Sequence, residues 1–331
     1  MPANLTPTYL KAEEEYRRAQ TTEEELRCLQ VMLAEIPKHK GTDHLQASLK
    51  SKIAQAKRDV VAEKTSKKGG RSGVRIPRQG AGTVVLLGGP NAGKSQFLRT
   101  MTRATPEVAA YPFTTTQPTP GMMPWQDVFV QVIDLPPVTK DFLEPYVQGM
   151  VRSADVVLLM VDLSDDAGIE QCQEVLDRLQ ATKTRLAGES SLDEEDIGLS
   201  YTRTFVVPNR VDADGAAERL ELFHELIPLD WPEFVISATD GAGLEPLRDA
   251  IYRSLDVVRV YSKMPKAKEA DMDRPFTLRR GATLLDMAML VHKDIATNLK
   301  FGRVWGTAVH DGTPVKGDYV LNDGDIVELN A

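Results

Sequence analysis

Gly88-Gly89-Pro90-Asn91-Ala92-Gly93-Lys94-Ser95 is the segment best equipped for chemistry. Its glycines let successive backbone N–H groups turn toward one point, the arrangement that cradles phosphate oxygens. Lys94 can reach the β- and γ-phosphates of a nucleotide, and the Ser95 hydroxyl can occupy one position on Mg²⁺. The eight residues lie between the apolar run Thr83–Leu87 and the helix-compatible run that opens at Gln96. That context marks a phosphate-binding loop and not a bare glycine-rich turn.

Three further motifs each follow an apolar run. Asp134-Leu-Pro-Pro137 comes after 128–133, where an aspartate can hold a water ligand of Mg²⁺. Asn209-Arg210-Val-Asp212 follows Phe205–Val207, and Ser237-Ala238-Thr239 follows Phe234–Ile236. A carboxylate such as Asp212 can accept two parallel hydrogen bonds from guanine N1–H and the exocyclic amine, whereas adenine offers an acceptor at N1 and lacks that amine. Losing such a pair in a buried site costs roughly 1.5–3 kcal/mol per charged hydrogen bond. Asn209 is expected to tie this loop to the phosphate loop, and backbone N–H groups near Ala238 to read guanine O6. GTP is therefore favoured over ATP. Taken alone, 209–212 reads better as a helix-capping loop; in order with the phosphate loop, Asp134 and Ser237 it reads as a base-recognition element. A small-molecule kinase on the same loop is disfavoured, since no second acceptor site is evident.

The elements that must position these motifs alternate. Strand-like runs at 84–87, 128–133, 156–161, 205–207 and 234–236 are separated by helical stretches, which predicts an α/β domain over 81–260: a mostly parallel sheet with helices on both faces. In such sheets the loops at the carboxyl ends of the strands form the binding crevice, and every motif above lies there. Residues 1–63 predict a helical hairpin: Leu26, Leu29, Leu33 and Ile36 share one face before Pro37, and Leu45, Leu49, Ile53 and Ala56 share another. Residues 64–80 read as a basic linker carrying Lys64, Lys67, Lys68, Arg71, Arg75 and Arg78, suited to phosphate backbones or simply solvated. The acidic stretch 189–196 reads as a surface insertion.

The chain has 331 residues, enough for two or three domains, and a net charge of -8, so any nucleic-acid contact must be regional. Its two cysteines, Cys28 and Cys172, form no disulfide framework or metal-ligand spacing. The longest aliphatic run, Val156–Val161, stops at Asp162 and is too short to span a bilayer. Without signal-peptide order at the amino terminus, a cytoplasmic protein with no membrane partner is expected.

With these residues in place, the chain resembles the Obg-type GTPases, especially the branch of developmentally regulated GTP-binding proteins. The resemblance rests on Gly88–Ser95, Tyr111-Pro-Phe-Thr-Thr-Thr116, Asp134-Leu-Pro, Asn209–Asp212 and Ser237–Thr239, with Ile36–Thr42 similar to members carrying a hairpin ahead of the GTPase domain. Residues 274–331 resemble a TGS domain, a ubiquitin-like β-grasp module, with strands at 275–278, 303–309 and 326–329, a helix over 283–300, and turns at Asp311-Gly312 and Asn322–Gly324. The resemblance implies GTP hydrolysis with Mg²⁺ held by Ser95, Thr115 (Thr114 being the competitor) and, through water, Asp134. It implies catalysis by Lys94 and Thr115, with K⁺ held by Asn91 in related proteins. GTP and GDP would be lodged by 88–96 together with the two base loops. It also implies contact with the ribosome, rRNA or tRNA, and a protein partner for the TGS module or the hairpin.

The chain departs from the family pattern in three places. Pro137 stands where the second switch has glycine, and proline has no N–H to give the γ-phosphate. Arg210 replaces lysine, its stem still able to cover the base. Val138 stands where many small GTPases place a water-orienting glutamine. Slow turnover is expected, on the order of 10⁻³ per second or below. Two outcomes follow from Pro137: a hydrolysing switch, or a guanine-nucleotide-stabilised binding module with impaired hydrolysis.

Overall fold

The computed structural model describes residues 5–19, 21–37, 40–65, 76–102, 117–193, 196, 198–265 and 267–331. Its amino-terminal part holds helices α1 (Pro7–Arg18), α2 (Thr22–Glu35) and α3 (Asp43–Thr65). Thr6 and Thr21 cap the first two through their side chains, and Pro7 at the first position of α1 costs no hydrogen bond. The expected hairpin is α2–α3. Helix α1 is an addition: it buries Tyr9, Ala12 and Tyr16 in the same core as Leu29, Met32, Leu49 and Ile53. Helix α3 runs through Thr65, and residues 76–80 pack back on the next domain, where Gly80 bridges Val130 and the Pro77 carbonyl accepts from Gln131. Those parts of the expected linker are structured; residues 66–75 lie outside the described residues.

The central domain is a sheet in the order β2-β3-β1-β4-β7-β5, with β6 also on β7. Its strands are β1 (Thr83–Leu87), β2 (Thr119–Trp125), β3 (Val128–Asp134), β4 (Val156–Asp162), β5 (Thr184–Ala187), β6 (Ser191–Leu192) and β7 (Ser200–Asn209). Helices α4 (Lys94–Thr102), α5 (Pro145–Ser153), α6 (Ala167–Gln180), α7 (Ala216–Leu226) and α8 (Leu244–Ser254) cover it. Strands β1 and β4 are buried at every position because both faces are covered, so their sequences run apolar without alternation. Separate cores fill the two sides, one around Val84, Leu86 and Leu158, the other around Val85, Leu87 and Leu159.

Three expectations change here. The run 234–236 is not a strand: it is held by isolated bridges, Val206 to Glu233 and Asn209 to Ile236, and so only doubles the end of β7. Strand β2, antiparallel to β3, escaped the sequence because Pro120 and Pro124 suit only an edge. The acidic stretch is not a plain insertion, since Ser191 and Leu192 pair with β7 and Glu189 joins Arg203.

The carboxyl-terminal sheet, in the order β11-β10-β12-β8-β9, contains β8 (Val257–Ser262), β9 (Asp271–Arg279), β10 (Phe301–Gly306), β11 (Val309–Val315) and β12 (Asp325–Asn330). This corrects the expected boundaries. Strand β8, which the expected boundary at 260 cuts, pairs with β9 and β12 and belongs to the last domain, ahead of residue 274. The single helix over 283–300 is two, α9 (Leu284–Val291) and α10 (Lys293–Asn298), separated at His292, whose extended backbone ends one and whose ring caps the other. The turn falls at Thr307-Ala308, and Asp311-Gly312 lies inside β11.

Candidate nucleotide site

The loop 88–93 leaves β1 and enters α4, whose first residue is Lys94. Asn91 (φ 56) and Gly93 (φ +86) are left-handed. Only glycine fits at 93, because a Cβ there would lie 2.1 Å from the amide nitrogen of the Asn209 side chain. The Lys94 ammonium donates to the carbonyls of Gly88 (3.0 Å) and Gly89 (2.7 Å). Burial pushes its pKa down to about 8, against the opposing pull of Asp134.

Ser95 donates its hydroxyl to Oδ2 of Asp134 at 2.5 Å, while Oδ1 of Asp134 is buried without a partner among the described residues. Burial raises the Asp134 pKa, opposed by Ser95, Lys94 and Arg99. A hydroxyl and an unsatisfied carboxylate oxygen, both hard donors beside a phosphate cradle, fit Mg²⁺. Thr115, the other expected metal ligand, and the segment 111–116 lie outside the described residues.

Asn209 is buried and donates to the Ala92 carbonyl at 3.1 Å, while its oxygen accepts from the Ala238 N–H at 3.0 Å. It therefore ties the phosphate loop to 237–239. The Ala238 amide expected to read guanine O6 is engaged by Asn209 in this structure, and its carbonyl accepts from Thr100. Ser237 is buried and its hydroxyl accepts from the Asp240 N–H, while Thr239 and Asp212 are exposed.

A cavity of about 570 Å³ opens over this ground, lined by residues 90–96, 99, 117, 119, 134–137 and 210. Of the residues expected to recognise the base only Arg210 lines it, while Asn209, Asp212, Ser237 and Thr239 stand outside the lining. Pro137 lines the cavity. Val138 does not face it: it is buried in the core with Val85 and Val147, and its N–H donates to the Gly88 carbonyl at 3.2 Å. Sequence reasoning missed Arg99, which follows Lys94 on α4, and Gln117 and Thr119, which no motif contains. It also missed Asp162 and Ser164, which bond Arg210; the abrupt end of the aliphatic run at Asp162 was their signal.

Two family profiles agree with this architecture. The family profile of the 50S ribosome-binding GTPase matches residues 83–188, and that of the TGS domain matches 258–331, beginning within β8. An uncharacterized GTP-binding protein of Methanocaldococcus jannaschii is 28% identical, covering 93% of this chain and 92% of its own. Developmentally-regulated G-protein 1 of Arabidopsis thaliana is 24% identical, covering 92% and 90%. The YchF GTPase structure of Schizosaccharomyces pombe aligns with a TM-score of 0.49 at 14% identity, covering 77% of this chain and 99% of that one. Among the described residues no helix is long and apolar enough to cross a membrane. The chain thus matches a GTPase domain followed by a TGS domain, and over nearly its whole length it is similar to the developmentally regulated GTP-binding proteins.

Proposed function

We propose that this chain binds GTP and GDP and hydrolyses GTP to GDP and phosphate with Mg²⁺, as a molecular switch acting on the ribosome or another RNA–protein assembly. The observation that carries the reading is the convergence of Lys94, Ser95 and Asp134 on one cavity, with a buried carboxylate oxygen of Asp134 that has no partner among the described residues. Lys94 holds its ammonium against the loop carbonyls, ready to exchange them for β- and γ-phosphate oxygens and to neutralise the charge that grows as water attacks phosphorus. Ser95 and Thr115 would ligate Mg²⁺, and Asp134 would hold it through water; bound there, the metal supplies positive charge at the phosphate oxygens. Asn91 would hold K⁺. Asp212 and the loop 237–239 would select guanine once the ligand draws them together. The hairpin, the basic segment and the TGS domain would carry the contact with ribosome, rRNA, tRNA or a protein partner.

Single-turnover hydrolysis of GTP, with and without Mg²⁺ and K⁺, tests the reading. Phosphate release no faster than that of Lys94→Ala removes the enzyme, and equal binding of ATP removes the base assignment. Pro137 favours a second reading, a nucleotide-stabilised module with impaired hydrolysis. Neither residue 137, which has no N–H, nor residue 138, whose N–H is donated to Gly88, offers an amide to a γ-phosphate in this conformation. Equal affinity for GDP and a GTP analogue would favour that module, because ligands of equal affinity shift no population.

A further inference from the structure

Arg210 has φ 67, a left-handed backbone that a non-glycine residue holds only when its surroundings fix it. Its Nη1 donates to Oδ2 of Asp162 and to Oγ of Ser164, both at 2.7 Å. Ser164 donates its hydroxyl (2.7 Å) and its N–H (2.9 Å) to the other oxygen of Asp162. The ring closes through the backbone as well: Asp162 is the register partner of Asn209, and the Leu163 N–H donates to the Asn209 carbonyl at 3.0 Å. Asp162 has 7% of its side chain exposed, so its carboxylate is spent on these contacts; Arg210 has 37% exposed. One nitrogen carries both anchoring bonds. Nε and Nη2 have no protein partner among the described residues, and the side chain lines the cavity beside Pro90 and Asn91.

A free arginine samples many rotamers, and ordering it costs up to about 2 kcal/mol on binding. Here that ordering is done in advance. The guanidinium keeps a planar face and a second edge of N–H donors, which suit stacking on a purine and bonding to sugar oxygens; a lysine anchored by its only nitrogen would keep neither. We infer that Asp162 and Ser164 are positioning residues that hold Arg210 as a contact for the nucleoside half of the ligand, separate from the phosphate half served by Lys94. The inference rests on the guanine-nucleotide reading above.

Dissociation of a fluorescent GDP analogue, followed by stopped flow for wild type, Asp162→Asn, Ser164→Ala, Arg210→Ala and Asp162→Asn/Arg210→Ala, tests it. Asp162→Asn and Arg210→Ala are expected to speed dissociation by about tenfold, the effect of one charge-assisted hydrogen bond. The double variant should be no faster than Arg210→Ala, and Ser164→Ala should fall between wild type and Asp162→Asn. Inorganic tripolyphosphate, which has no nucleoside, should compete with all variants within about twofold of wild type, as expected where a contact lies off the phosphates. An unchanged rate in Asp162→Asn and Ser164→Ala overturns the inference. So does an Asp162→Asn effect that persists in the Arg210→Ala background, or equal weakening of tripolyphosphate, because each marks a role in folding alone. A wild-type chain that binds no guanine nucleotide overturns the earlier reading first; binding with unaltered variants overturns only this one.

Discussion

Arg259 places Nη1 2.9 Å from Oδ1 of Asp127, joining the first strand of the TGS sheet to the turn between β2 and β3. Its Nη2 lies 2.8 Å from Asp323, the Tyr261 hydroxyl donates to Asp127, and the guanidinium sits 5.5 Å over the Trp125 ring, itself stacked on Tyr252 at 3.6 Å. Against the upward push of burial, hydrogen bonds from Tyr261 and Arg259 hold the Asp127 carboxyl below its ordinary range; Arg259 does the same for Asp323. Carboxyls with lowered folded pKa stabilise above their unfolded value and lose that contribution as pH falls through the folded one. Stability is therefore expected to drop below about pH 4, the ordinary aspartate range, less steeply in Arg259→Ala. A double-mutant cycle of Arg259→Ala with Asp127→Ala, read by urea denaturation, should give a coupling of about 1–2 kcal/mol.

Asp155 is a second joint. Its side chain is 2% exposed, accepts from the Thr83 N–H at 2.8 Å, and gathers Arg279 at 2.5 Å, Arg18 at 3.3 Å and Arg78 at 3.8 Å. These come from the end of β9, from α1 and from the segment before β1, so one carboxylate fastens three parts of the chain. Asp155→Ala removes the one buried carboxylate that the three guanidinium groups share, leaving Arg18 to Glu14, Arg78 to the Ser153 carbonyl and Arg279 to the Leu255 carbonyl, and should cost about 3–5 kcal/mol by denaturation. Because it weakens one of the two joints between the TGS domain and the rest, it should also broaden the single unfolding transition toward two in calorimetry.

Lys94 gives the site a pH dependence. Its folded pKa of about 8 lies below the unfolded 10.5, so the buried ammonium opposes folding at low pH, and nucleotide-free stability from this group rises as pH climbs from 8 to 10.5. Phosphate needs the ammonium, so GDP affinity should fall above pH 8, by up to about tenfold per pH unit, with proton uptake on binding. Titration calorimetry at pH 7, 8 and 9 in two buffers of different ionisation enthalpy checks both. Lys94→Arg, always charged, should flatten the profile.

Pro137→Gly restores an N–H at the cavity wall. The expected outcome is a preference for a GTP analogue over GDP raised about fivefold to tenfold, one net hydrogen bond, with GDP affinity unchanged. Equilibrium titration with both nucleotides reads it, and an unchanged ratio places the γ-phosphate contact elsewhere.

The phosphate loop was legible because eight contiguous residues dictate its backbone, β1 and β4 because a parallel strand buried on both faces is apolar along its length, and β3 and β7 through their apolar stretches at 128–133 and 205–207. Edge and boundary elements were not. The prolines of β2 argue against a strand until its edge position is known, and no sequence signal separates β8 from the preceding domain until its partners β9 and β12 are seen. Sequence alone thus determined the presence of the nucleotide loop, the acid that ends β3, and the order of domain types. Tertiary structure alone decided that Asp162 seizes Arg210, 48 residues away, that Asp127 meets Arg259 across 132, and that Val138 turns into the core. Local backbone preference acts over a few residues, whereas such distant pairs exist only once sheet order has closed the loops between them.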